Sequence, residues 1–138
     1  MENKDYKKRL VDEKISHILK NAPAICVEGP KWCGKTWTAE NNSKSVIYIG
    51  DATNNFQNRR IAEANTESIL IGDKPRLIDE WQEVPAIWDA VRSNVDKNAN
   101  NNQYILTGSS TPKNKGIMHS GAGRIVRFAM DTMMRLLA

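Results

Sequence analysis

The segment Gly29-Pro30-Lys31-Trp32-Cys33-Gly34-Lys35-Thr36 constrains this chain more than any other, because it is a full match to G-x-x-x-x-G-K-[ST]. From average composition, a chance match in a chain this long is on the order of half a percent. The match follows Ala24-Ile25-Cys26-Val27, a continuous apolar run. Such a run next to turn residues predicts a strand buried on both faces, as in a parallel sheet. A short helix is predicted to follow Thr36. In that context the glycines let the backbone curl so that several N–H groups point inward at a phosphate. Lys35 would place its ammonium on the β- and γ-phosphates, and Thr36 would offer its hydroxyl to Mg²⁺. The competing reading is a glycine turn that merely caps a helix, and the flanking strand argues against it.

The rest of the chain alternates between helical and strand patterns. From Tyr6 to Lys20 the apolar residues Leu10, Val11, Ile15, Ile18 and Leu19 recur at helical spacing, and Asn21-Ala22-Pro23 ends that helix. Ser45 to Ile49 is a second strand and Arg76-Leu77-Ile78 a third. Phe56 to Leu70 between them reads as a mostly polar helix. Pro85 suits the first residue of a helix whose apolar face is Trp88, Val91 and Val95. Tyr104-Ile105-Leu106 is a fourth strand and Ile125 to Phe128 a fifth, with residues 111–124 reading as a loop. Strands alternating with helices indicate an α/β domain with a largely parallel sheet. Functional residues of such a sheet gather at the carboxyl ends of its strands.

Three further motifs are expected at such ends. Arg76-Leu77-Ile78-Asp79-Glu80-Trp81 is an apolar strand ending in Asp-Glu, the shape of a Walker B element. Asp79 would hold Mg²⁺ and Glu80 would polarise an attacking water. Alone, such a pair is usually a solvated strand end; downstream of a phosphate loop it reads as functional. Thr107-Gly108-Ser109-Ser110 offers small hydroxyls that could bond a γ-phosphate or the water. Sequence alone does not separate Thr107 from Ser109. In His119-Ser120-Gly121-Ala122-Gly123-Arg124, Arg124 could stabilise charge on a transferring phosphoryl group, in cis or from a neighbouring subunit. A surface arginine beside a glycine loop is the bland alternative, and His119 reads as structural or exposed. Cys33 reads as a small side chain that fits the loop. The tryptophans read as packing, although Trp32 could cover a nucleotide.

The 138 residues, 40% hydrophobic and 26% charged, suit one globular domain and exclude collagen-like, disordered and disulfide-scaffold classes. Cys26 and Cys33 fit no metal or redox motif. No apolar stretch approaches a membrane span, and the charged N-terminus has no apolar h-region, so a reduced cytoplasmic chain is expected. The net charge of +4 is concentrated at the end, where residues 111–138 carry five Lys/Arg against one Asp/Glu. That segment raises nucleic acid as a partner. No aromatic residue sits beside Lys113 and Lys115 to stack bases, so solvated lysines are the simpler account.

Together, Gly-Pro-Lys-Trp-Cys-Gly-Lys-Thr, Pro-Arg-Leu-Ile-Asp-Glu-Trp-Gln, Ile-Leu-Thr-Gly-Ser-Ser and His-Ser-Gly-Ala-Gly-Arg resemble a prokaryotic AAA-superfamily ATPase group. The resemblance runs from about Tyr6 to Met130. It implies a three-layer P-loop NTPase sandwich with five strands in the order 5-1-4-3-2. It implies ATP and Mg²⁺ as ligands, with Lys35 and Thr36 on the phosphates and the metal and Asp79 beside them; from the residues themselves, 29–36 and Thr107 are expected around the nucleotide and Thr36 and Asp79 on the metal. Glu80, Ser109 and Arg124 would be catalytic as base, sensor and finger, with Arg124 given or received across a homo-oligomer or a partner protein. Residues 1–23 would be a helix and linker, 24–130 the nucleotide-binding core and 131–138 a tail, together one ATPase core. Members usually continue into a helical lid or winged-helix region and a nuclease-like domain. With Ala138 last, the expectation is a core without its lid, belonging to a larger protein. The alternative is a nucleotide-binding remnant or switch that hydrolyses little.

Overall fold

The computed structural model describes residues 10–30, 34–98, 100–109 and 124–130. Its centre is a five-stranded sheet in which every pairing is parallel. The strands are β1 (Ala24–Gly29), β2 (Ser45–Tyr48), β3 (Arg76–Asp79), β4 (Tyr104–Ser109) and β5 (Ile125–Ala129). Their order is β2-β3-β4-β1-β5, which is 5-1-4-3-2 read from the other edge. The expected fold class and strand order are therefore those observed.

Parallel neighbours cannot be joined by tight hairpins, so the chain crosses over through helices between strands. The helices are α1 (Leu10–Asn21), α2 (Lys35–Glu40), α3 (Thr53–Ala64) and α4 (Ala86–Lys97). Two single 3₁₀ segments, Thr66–Leu70 and Trp81–Glu83, complete the described elements. Side chains alternate across each strand, and this divides the core into two layers. Ile25, Val27, Leu77 and Ile105 pack with Val11, Ile15 and Leu19 of α1 and Ala39 of α2. Cys26, Ile78, Tyr104 and Leu106 face the other way, against Ile87, Trp88, Val91 and Val95 of α4 and Ala62 of α3. Helices thus cover both faces of the sheet, and strands buried on both sides read in sequence as continuous apolar runs.

Several boundaries differ from those the sequence suggests. The fourth strand was expected to stop at Leu106 and runs on through Ser109, because Val27, Glu28 and Gly29 pair in register with Thr107, Gly108 and Ser109. Backbone hydrogen bonds continue the ladder there, whatever the side chains. The helix expected from Phe56 to Leu70 begins earlier and is interrupted. Asn54, Asn55 and Phe56 are left-handed, with φ of 53°, 59° and 59°, and Arg60 donates to the carbonyl oxygens of Asn54 and Asn55. Asn65 then leaves helical geometry, and residues 66–70 tighten into a 3₁₀ segment. Pro85 caps α4 from the position just before its first residue. Among the described residues, no helix is long and apolar enough to cross a membrane.

Candidate functional site

The carboxyl ends of β1, β3 and β4 lie side by side, since Asp79 pairs in register with Thr107 and Gly29 with Ser109. After β1 the chain turns at Gly34, which has φ 85°, a left-handed conformation that favours a residue without a Cβ. Lys35 opens α2 and is 2% exposed. The next residue, Thr36, donates its hydroxyl to Oδ1 of Asp79 at 2.9 Å. These two residues are 43 positions apart, and the fold brings them into contact.

Asp79 is the centre of the arrangement. Its Oδ1 also accepts the hydroxyl of Thr107 at 2.7 Å, and Thr107 in turn accepts the backbone N–H of Glu80 at 3.1 Å. Thr107 is fully buried, so its one proton and one of its lone pairs are both engaged beneath the strand ends. Glu80 leaves the strand with φ 61° and ψ 50°. A non-glycine residue in that region is uncommon, and such residues cluster where a site over-determines the backbone. The left-handed turn allows Asp79 and Glu80, which would alternate across a strand, to serve one end of the sheet. The amide of Gln82 donates to Oε1 of Glu80 at 2.6 Å. Ser109 is half-buried at the last position of β4.

These are hard oxygen donors of the kind that suit Mg²⁺, which takes one or two protein ligands and otherwise keeps water and phosphate oxygens. Thr36 and Asp79 are already within hydrogen-bond distance of each other. Among the described residues, no group of three or more His, Cys, Asp or Glu could hold a metal by itself.

The structure brings together Gly29, Gly34, Lys35, Thr36, Asp79, Glu80, Thr107 and Ser109, and places Pro30 exposed at the end of β1. It does not bring Arg124 to them. Arg124 precedes β5, whose first residue pairs with Ala24, the first residue of β1. The length of β1, roughly 16 Å at about 3.3 Å per residue, therefore separates it from the end carrying Gly29. There Arg124 forms an ion pair with Asp96 in the last turn of α4. Lys31, Trp32, Cys33, Ser110 and His119 lie outside the described residues, as do Lys113, Lys115 and the tail from 131 to 138. Gln82 ends the Pro-Arg-Leu-Ile-Asp-Glu-Trp-Gln stretch but received no role from sequence, although its place two residues after Glu80 was a signal.

Other residues on the surrounding strands and helices are structural. Cys26 is buried in β1, and burial, reinforced by the Glu28 carboxylate, pushes its thiol well above the usual range. Trp81 and Trp88 pack with ring centroids 5.0 Å apart. Asp89 and Arg92 form an exposed ion pair at 3.6 Å. Tyr48, at the end of β2, donates to Glu40, and partial burial with that carboxylate pushes its hydroxyl up to about 12.

A family model for an AAA domain matches residues 21–134. The chain belongs to that family. An AAA domain is a nucleotide-binding, ATPase-like module, and the all-parallel sheet in the order β2-β3-β4-β1-β5 is consistent with a P-loop NTPase fold. Comparison with curated proteins gives no match.

Proposed function

We propose that the chain is the Mg²⁺-dependent core of an ATPase that hydrolyses the bond between the β- and γ-phosphates of ATP. The observation that carries this reading is the chain of contacts from Thr36 to Asp79 to Thr107 to Glu80, at the strand ends next to a G-x-x-x-x-G-K-T loop. In this reading the loop from Gly29 to Thr36 surrounds the phosphates and Lys35 supplies positive charge to the β- and γ-groups. Thr36 and Asp79 would hold Mg²⁺, which when bound neutralises charge on the phosphate oxygens. Glu80 takes the proton of a water whose oxygen attacks the γ-phosphorus. The bond to the β–γ bridging oxygen breaks, and that oxygen leaves with the electron pair on ADP. Thr107 supports Asp79 and Glu80 from below. Ser109, at the open end of β4, is the hydroxyl assigned to the γ-phosphate. Arg124, at the opposite end of the sheet, would reach a phosphate only in a neighbouring copy or partner protein. Residues 24–130 form the nucleotide-binding core of a larger cytoplasmic ATPase.

Two variants test the reading. Lys35→Ala should weaken Mg-ATP binding in calorimetry by roughly 1.5–3 kcal/mol, the worth of a charge-assisted bond. Glu80→Gln should bind Mg-ATP as the parent does and lose turnover, because its contribution begins only as the water attacks. Unchanged affinity in Lys35→Ala would remove the phosphate-loop assignment. A parent chain that binds Mg-ATP without measurable turnover would favour a nucleotide-dependent switch.

A further inference from the structure

The side chain of Gln82 makes an unusual compromise. Its Nε2 donates to Oε1 of Glu80 at 2.6 Å, a short contact for an amide. Its own carbonyl oxygen is buried and, among the described residues, has no hydrogen-bond partner. Buried carbonyls are nearly always satisfied, so this orphan calls for a physical reason. Rotating the amide by half a turn is no remedy, since it would set the carbonyl against the Glu80 carboxylate. The amide therefore keeps the bond to a charged group and leaves its neutral end unpaired.

That neutral end rests against Gly108 of β4. A Cβ built on Gly108 would stand 2.7 Å from Oε1 of Gln82 and 2.9 Å from Nε1 of Trp81. Both are shorter than real Cβ contacts, so a side chain here would displace the flexible end of the Gln82 amide and press on the Trp81 indole. The 3₁₀ turn of residues 81–83, closed by the Glu83 N–H on the Glu80 carbonyl at 3.1 Å, folds Gln82 back over Glu80. Glu80 is thus held at both ends, its backbone N–H by Thr107 and its carboxylate by Gln82. The bond engages Oε1, which leaves Oε2 to accept a proton from water.

We propose that Gln82 is a positioning residue of this site, fixing the orientation of the Glu80 carboxylate, and that glycine at position 108 leaves room for the Gln82 amide beside the Trp81 indole. This rests on the reading of Glu80 as the group that takes the water proton. Gln82 touches no reacting atom in this scheme. It acts through Glu80, by denying the carboxylate rotamers that point away from the attacking water.

The test compares parent, Gln82→Met, Gly108→Ala, Glu80→Gln and the Gln82→Met/Glu80→Gln double variant, as full chains, by Mg-ATP calorimetry and steady-state hydrolysis. Methionine fills the same space without the amide. Gln82→Met should lower kcat roughly 10- to 100-fold, the scale of lost orientation and general-base assistance. KM and the calorimetric Kd for Mg-ATP should stay within about twofold, because the interaction matters only as the water is deprotonated. Gly108→Ala should reproduce that split. The double variant should be no slower than Glu80→Gln, since the two residues act as a unit. Full activity in Gln82→Met, or losses that multiply in the double variant, would overturn the proposal. So would a loss of binding that parallels the loss of kcat, which marks a merely structural role. Glu80→Gln as active as the parent, or a parent without turnover, overturns the Glu80 reading and this one together. Glu80→Gln inactive with Gln82→Met fully active overturns the role of Gln82 alone.

Discussion

Replacing Thr107 with valine keeps the volume and branching of the side chain and removes its hydroxyl. Two hydrogen bonds end with it. The one to Asp79 is made to a carboxylate 8% exposed, where a bond to a charged group contributes about 1.5–3 kcal/mol. The other leaves the Glu80 N–H without its acceptor, at about 1–3 kcal/mol if fully buried. Glu80 is only half-buried, so water can reach its backbone in part and the low end applies. The added methyl returns about 0.8 kcal/mol of apolar burial. The net loss is about 2–3 kcal/mol. With an unfolding entropy of about 2.1 cal/mol/K per residue over 138 residues, Tm should fall by about 7–10 °C. Urea denaturation at neutral pH without nucleotide reads the free energy directly. Thr107→Ser is the control: it keeps both bonds, loses one buried methyl and should stay within about 1.5 kcal/mol of the parent. If Thr107→Val came within about 0.5 kcal/mol of the parent, the size of an ordinary surface substitution, Thr107 would not be bonding Asp79 and Glu80. The network beneath the strand ends would then be wrong.

Asp79→Asn should weaken the Mg²⁺-dependent part of ATP binding while leaving metal-free ATP binding close to the parent value, read by calorimetry with and without Mg²⁺. Cys26, buried and with its thiol pushed up, should stay unmodified by a thiol reagent until the chain unfolds, read by mass spectrometry along a urea series. Tyr48 should ionise near pH 12 rather than its ordinary value of about 10, so Tyr48→Phe should remove a late step from the phenolate absorbance titration. The raised value favours the protonated form in the folded chain. Its contribution to stability is therefore complete below about pH 10 and is lost as pH rises through about 12.

Much of the architecture was legible because parallel strands are buried on both faces. Ala24-Ile25-Cys26-Val27, Arg76-Leu77-Ile78 and Tyr104-Ile105-Leu106 had to be apolar at consecutive positions, and turn residues bounded each run. The G-x-x-x-x-G-K-T segment was equally plain, since its chemistry resides in contiguous residues. What sequence left open depended on contacts across the chain. Thr107 and Ser109 share one face of β4 and could not be told apart. The register with Asp79 placed one beneath the Asp-Glu turn and the other at the open end. Arg124 was legible as an arginine beside a glycine loop, but only the pairing of β5 with β1 put it at the far end of the sheet. The left-handed turn at Glu80 and the seat of Gln82 against Gly108 were likewise invisible. Local propensity does not encode a backbone conformation imposed by a hydroxyl 27 positions away. The sequence determined the strands and the loop because local pattern and spacing suffice for them. The tertiary structure decided which oxygens meet, because that follows from how strands distant in sequence are aligned.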